Sequence, residues 1–114
     1  MKHTICIDFD HTIRDLHVEG EGTEESPYFK VDRPFPGARD AISKLREKGY
    51  LVVIHSCNDP DFIEQWMNNY DIRHDGIWTV KPVGTIYIDD RALRFEGDWH
   101  KTLNTALGLI NKEG

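Results

Sequence analysis

A chain of 114 residues, 39% hydrophobic and 30% charged, has room for one domain around one core, expected to span 1–114. Its 20 acidic against 14 basic residues leave a net charge of −6, which argues against an extended nucleic-acid surface. Apolar runs stay well short of the ~20 residues that span a bilayer, and the start, with a strand almost at Met1, does not read as a signal peptide. The two cysteines, Cys6 and Cys57, have neither metal-site nor disulfide-framework spacing, so reduced thiols and a cytoplasmic location are expected.

Residues 3–9 read as a short buried strand. Residues 14–36 break the pattern that follows elsewhere. Arg14 to Val18 can pair with Tyr28 to Val31 across an acidic tip, giving a hairpin-like flap rather than a domain. A helix is predicted over 37–49, where Ala38, Ala41, Ile42 and Leu45 recur at helical spacing and Gly49 supplies the stop. A second apolar strand, Tyr50 to Ile54, runs into His55, Ser56, Cys57 and Asn58. The next helix is capped by Asn58 or Asp59, has Pro60 in its first turn, and lines one face with Phe62, Ile63, Trp66 and Tyr70. Short strands follow near Ile77–Trp78 and over Thr85 to Ile88, and a last helix carries Trp99, Leu103, Ala106, Leu107 and Ile110 on one side.

Strands alternating with helices predict right-handed crossovers and a mostly parallel α/β sheet. Asp8, Ser56 and the pair Asp89-Asp90 each follow the last apolar residue of a predicted strand. In an open α/β sheet those ends share one edge, where ligands bind. Asp8 and Asp10, two apart, project the same way from a strand end. Like charges that close repel unless a cation sits between them, and Mg²⁺ suits carboxylate oxygens. A phosphate fits next to such a metal, which makes phosphoryl transfer the expected chemistry.

With Asp8-Phe9-Asp10-His11-Thr12, Ser56, Lys81 and Asp89-Asp90 in that order, the chain resembles a small, capless member of the haloacid-dehalogenase-like superfamily of Mg²⁺-dependent phosphohydrolases. The resemblance runs from Ile5 to about Trp99 and implies a three-layer, Rossmann-like fold, with helices on both faces of a small central parallel sheet. It implies that Asp8 is the nucleophile, forming an aspartyl-phosphate, and that Asp10 protonates the leaving group and then activates water. It implies that Ser56 holds the phosphoryl group, with the Cys57 N–H and Asn58, and that Lys81 offsets charge. Mg²⁺ would be held by Asp8, the Asp10 carbonyl and the Asp89-Asp90 pair, with Asp90 the direct ligand. The family usually has glycine where this chain has His11.

His11 and His55 flank the site and serve either a substrate or the loops themselves, and Arg14 and Arg91 are candidate contacts for a distal anionic group. Cys57, lacking a base partner, reads as a packed strand-end residue rather than a nucleophile, and Trp66 and Trp99 read as core. The expected activity is phosphomonoester hydrolysis on a phosphorylated small molecule or the terminal phosphate of a larger substrate. A phosphotransferase of the same mechanism and a non-catalytic metal- or phosphate-binding module are the alternatives. A transferase needs a device to exclude water, which a short flap does not supply.

Overall fold

The computed structural model describes residues 3–79, 86–89 and 93–113. Five strands form one parallel sheet: β1 (Thr4–Asp8), β4 (Leu51–His55), β5 (Gly76–Trp78), β6 (Ile86–Asp89) and β7 (Leu93–Arg94). Their spatial order is β5-β4-β1-β6-β7, so β1 lies at the centre. The central position explains its sequence, because a parallel strand covered on both faces must be apolar almost throughout. Ile5, Cys6 and Ile7 are all buried. β7, two residues long, has no apolar run to announce it and is absent from the sequence expectation.

Three helices lie among the described residues: α1 (Ala38–Glu47), α2 (Pro60–Asn69) and α3 (Trp99–Glu113). α1 packs on β4 and α3, whereas α2 packs on β5. The expected face of α1 is the buried one. Past its end, Gly49 takes a φ of +88°, donates to Arg46 O, and lets Tyr50 N–H reach Leu45 O. This is a left-handed glycine stop. α2 begins as expected, with the Asp59 carboxylate accepting from Asp61 N and Pro60 at the first position. Its buried face is Ile63, Trp66 and Met67, not the predicted set. Phe62 and Tyr70 sit at the margin, 38% and 39% exposed. α3 buries Trp99, Leu103, Ala106 and Ile110, in agreement with its spacing.

The interruption between β1 and α1 is a separate antiparallel hairpin, β2 (Arg14–Glu19) and β3 (Phe29–Pro34), paired from Arg14↔Pro34 to Glu19↔Phe29. Its base is tied down, with Phe35 N donating to Ile13 O, while Val18, Tyr28 and Phe29 near its tip are exposed. Gly20 closes the tip at φ +106°, where an added Cβ would sit 2.2 Å from Pro27 O. On one side of β2, His17 bridges Asp15 (2.7 Å) and Glu19 (2.8 Å). The hydrogen bonds to Glu19 and Asp15 hold its pKa above the ordinary histidine value.

Candidate active site

The carboxyl ends of the parallel strands supply the site. Asp8 closes β1, pairs in register with His55 at the end of β4, and accepts at Oδ1 from Phe9 N at 2.9 Å. On the other side Ile7 is in register with Ile88 of β6, so the next residues, Asp8 and Asp89, end neighbouring strands. Adjacent strands lie about 4.8 Å apart. The backbone therefore brings two carboxylate-bearing positions to one edge.

Beyond Asp8 the chain turns sharply. Phe9 O accepts from the N–H groups of Thr12, Ile13 and Arg14, and His11 N donates to Arg14 O. Within this turn His11 has a φ of +64°. That left-handed conformation is one glycine adopts freely, and histidine is among the side chains that tolerate it best. The exposed His11 thus takes a backbone conformation that glycine adopts without strain.

The turn delivers Asp10 toward the loop after β4. Asn58 Nδ2 reaches Asp10 Oδ2 at 3.4 Å, and Asn58 N donates to Ser56 Oγ at 3.0 Å. Ser56, 5% exposed, is also fixed through its own N–H to Trp78 O at the end of β5. Asp10, Ser56 and Asn58 are therefore one connected group. Cys57, between them in sequence, is exposed rather than packed as expected. Strand β4 ends at His55, so Cys57 lies in the following loop and not against the core.

Arg14 behaves differently from the sequence expectation. It is only 7% exposed, and its guanidinium is engaged on three nitrogens. Nε and Nη2 donate to the two oxygens of Asp32 at 2.9 and 2.8 Å, while Nη1 donates to Asp10 Oδ1 at 3.1 Å. The rings of Phe62 and Phe9 lie 4.9 and 5.9 Å from its Cζ. Asp32 in turn accepts from Trp66 Nε1 at 3.1 Å, and Tyr70 Oη donates to its carbonyl. The bidentate bond to Asp32 raises the Arg14 pKa, and the same bond, with Trp66, lowers that of Asp32. Arg14 is thus tied into the site's framework, with three of its five N–H groups used within the protein. Asp32 was not singled out in the sequence; the available signal was an aspartate placed in a strand, where that residue is disfavoured.

A second link holds the site from α3. Trp99, 1% exposed, donates Nε1–H to the carbonyl of Thr12 at 3.1 Å. Lys81, Asp90 and Arg91 lie outside the described residues, and Asp89 is described by its backbone alone. Among the described residues no three His, Cys, Asp or Glu side chains form a metal-holding group. Asp8 and the backbone position of Asp89 end adjacent strands, and carboxylate oxygens are the donors that suit a hard cation such as Mg²⁺.

A cavity of about 530 Å³ lies elsewhere, beside Leu51 at the opposite end of β4. Two of its arginines are already committed: Arg39 to Asp71 at 2.7 Å and Arg46 to Asp75 at 3.2 Å. Burial works against the charge of Asp75, but hydrogen bonds from Arg46 and Val52 N leave its pKa lowered. This cavity holds none of the motif residues.

No family model and no curated protein matches this chain. A solved structure from Bacteroides thetaiotaomicron, that of a conserved protein coded by locus, is similar, with a TM-score of 0.66 and 16% sequence identity. The likeness covers 95% of this chain and 92% of that one, and at such identity it concerns the fold alone. Among the described residues no helix is long and apolar enough to cross a membrane.

Proposed function

We propose that the chain is a Mg²⁺-dependent phosphomonoesterase with a three-layer, haloacid-dehalogenase-like fold, working through an aspartyl-phosphate on Asp8. The observation that carries this reading is the convergence of Asp8, Asp10, Ser56 and Asn58 at the carboxyl ends of β1 and β4, beside the end of β6.

In the first half-reaction an Asp8 oxygen attacks phosphorus and the bond to the leaving oxygen breaks. Asp10 gives that oxygen its proton. In the second, water attacks the same phosphorus, Asp10 takes the proton from the water, and the bond to Asp8 breaks. Ser56 retains its hydroxyl hydrogen for a phosphoryl oxygen, since its Oγ is used as an acceptor by Asn58 N. Mg²⁺ would be held by Asp8, the Asp10 carbonyl and the Asp89-Asp90 pair, and would supply electrostatic stabilisation of the phosphoryl charge. Lys81 is assigned the same task from the protein side.

Water as the acceptor is supported by the hairpin. Val18, Tyr28 and Phe29 are 64%, 66% and 54% exposed, so its outer half is not packed down as a seal. The substrate is a phosphorylated small molecule or the terminal phosphate of a larger one. The net charge of −6 disfavours an extended polynucleotide track.

The test is hydrolysis of p-nitrophenyl phosphate with and without Mg²⁺. Metal-dependent nitrophenol release that vanishes in Asp8→Asn is the expected result. Activity that survives Asp8→Asn undiminished contradicts the nucleophile assignment.

A further inference from the structure

Resting on the phosphatase reading above, we propose that Arg14 is the positioning residue for Asp10, and that the hairpin is part of the catalytic framework rather than a cover. A carboxylate that must give a proton to one oxygen and later take one from water works only in a defined orientation. Asp10 has a partner on each oxygen, Arg14 on Oδ1 and Asn58 on Oδ2. Of the two contacts the one to Arg14 is shorter, at 3.1 Å against 3.4 Å, and carries the charge.

Arg14 is itself held from several sides. Three of its nitrogens are bonded, its side chain is 9% exposed, and Phe62 lies against the guanidinium. The support is continuous: Trp66 of α2 and Tyr70 just past its end hold Asp32, Asp32 holds Arg14 bidentately, and Arg14 holds Asp10. Arg14 and Asp32 stand on the two opposite strands at the hairpin base, so the hairpin cannot shift there without moving Arg14. A surface ion pair would need none of this enclosure. Three of the five guanidinium N–H groups are already used within the protein, including the Nε–Nη2 edge that grips Asp32 bidentately.

Leaving-group dependence separates positioning from simple structural damage. p-Nitrophenolate leaves with little help from an acid, whereas phenyl and alkyl phosphates need the proton. Displacing a catalytic group by about 1 Å costs on the order of 100-fold. Arg14→Met and Asp32→Asn are therefore expected to lower kcat for phenyl and alkyl phosphates by about 100-fold, with a loss on p-nitrophenyl phosphate smaller by at least about tenfold. KM should change little. Equal losses on all esters overturn the proposal, and so does a rise in KM with kcat unchanged, which marks Arg14 as a substrate contact.

If Arg14→Met does not fold, Asp32→Asn carries the test, because Asp10 and Asn58 are untouched in it. A crystal structure of either variant reads the geometry without substrate. The Asp10 carboxylate is expected to leave its present orientation, and an unchanged orientation overturns the proposal. A wild-type protein inactive on every ester, with Asp10 displaced in the variant crystal, defeats the phosphatase reading and supports the positioning of Asp10 by Arg14.

Discussion

Replacing Trp99 by phenylalanine isolates one hydrogen bond between α3 and the loop that follows the two motif aspartates. The indole is 1% exposed and its Nε1–H meets Thr12 O at 3.1 Å, in a residue itself 2% exposed. Phenylalanine keeps an aromatic ring against Phe95, whose centroid lies 5.0 Å away, but removes the donor. Leaving the Thr12 carbonyl buried without its partner costs about 1–3 kcal/mol. The smaller ring forfeits roughly one methylene of burial, ~1 kcal/mol. The expected loss is thus about 2–4 kcal/mol, a large share of a typical domain's ~5–15 kcal/mol. Urea unfolding at constant m reads it directly, and thermal unfolding should fall by about 10–20 °C. A loss below about 1 kcal/mol would refute the reasoning, because it would mean that the Thr12 carbonyl does not depend on the indole.

Acid should loosen the hairpin base. The Asp32 pKa is lowered, chiefly by its bond to Arg14, so the stabilisation is complete above the unfolded aspartate value of about 3.9 and is lost as pH falls toward the folded value. Asp32→Asn is expected to cost about 1–3 kcal/mol at neutral pH, and the gap to wild type should narrow below about pH 4; a gap that stays constant down to pH 3 contradicts the assignment. The exposed Cys57 thiol should react with a disulfide reagent in the native protein while the buried Cys6 reacts only on unfolding. Two thiols of equal reactivity under native conditions would contradict the placement of either one.

What could be read from the chain follows the range over which each interaction acts. The buried runs around Ile5–Ile7 and Val52–Ile54 announce their strands, because a strand covered on both faces has no polar alternation to hide it. The start of α2 at Asp59-Pro60 and the glycine stop after α1 are local chemistry and were equally plain. So was the pairing of the hairpin, although its base reaches Pro34 rather than Val31. The grouping of Asp10, Ser56 and Asn58 follows once the two strands are parallel neighbours. The bonds from Asp32 to Arg14 and Trp66 did not show, because they join residues 18 and 34 positions apart on three different elements. Arg14 looked like a surface fork for the same reason. Helical spacing places Phe62 on one face with Ile63 and Trp66, yet the guanidinium of Arg14 is what it covers. Cys57 lies two residues beyond the end of β4, in a loop that turns its side chain to solvent rather than into the core.

The most direct test is mass spectrometry of the protein after incubation with Mg²⁺ and p-nitrophenyl phosphate, using the Asp10→Asn variant to slow the second half-reaction. A covalent phospho-aspartate mechanism predicts one added phosphoryl group, with borohydride reduction converting position 8 to homoserine. Nitrophenol release with no phosphorylated protein, or a phosphoryl group on any residue other than Asp8, would contradict it.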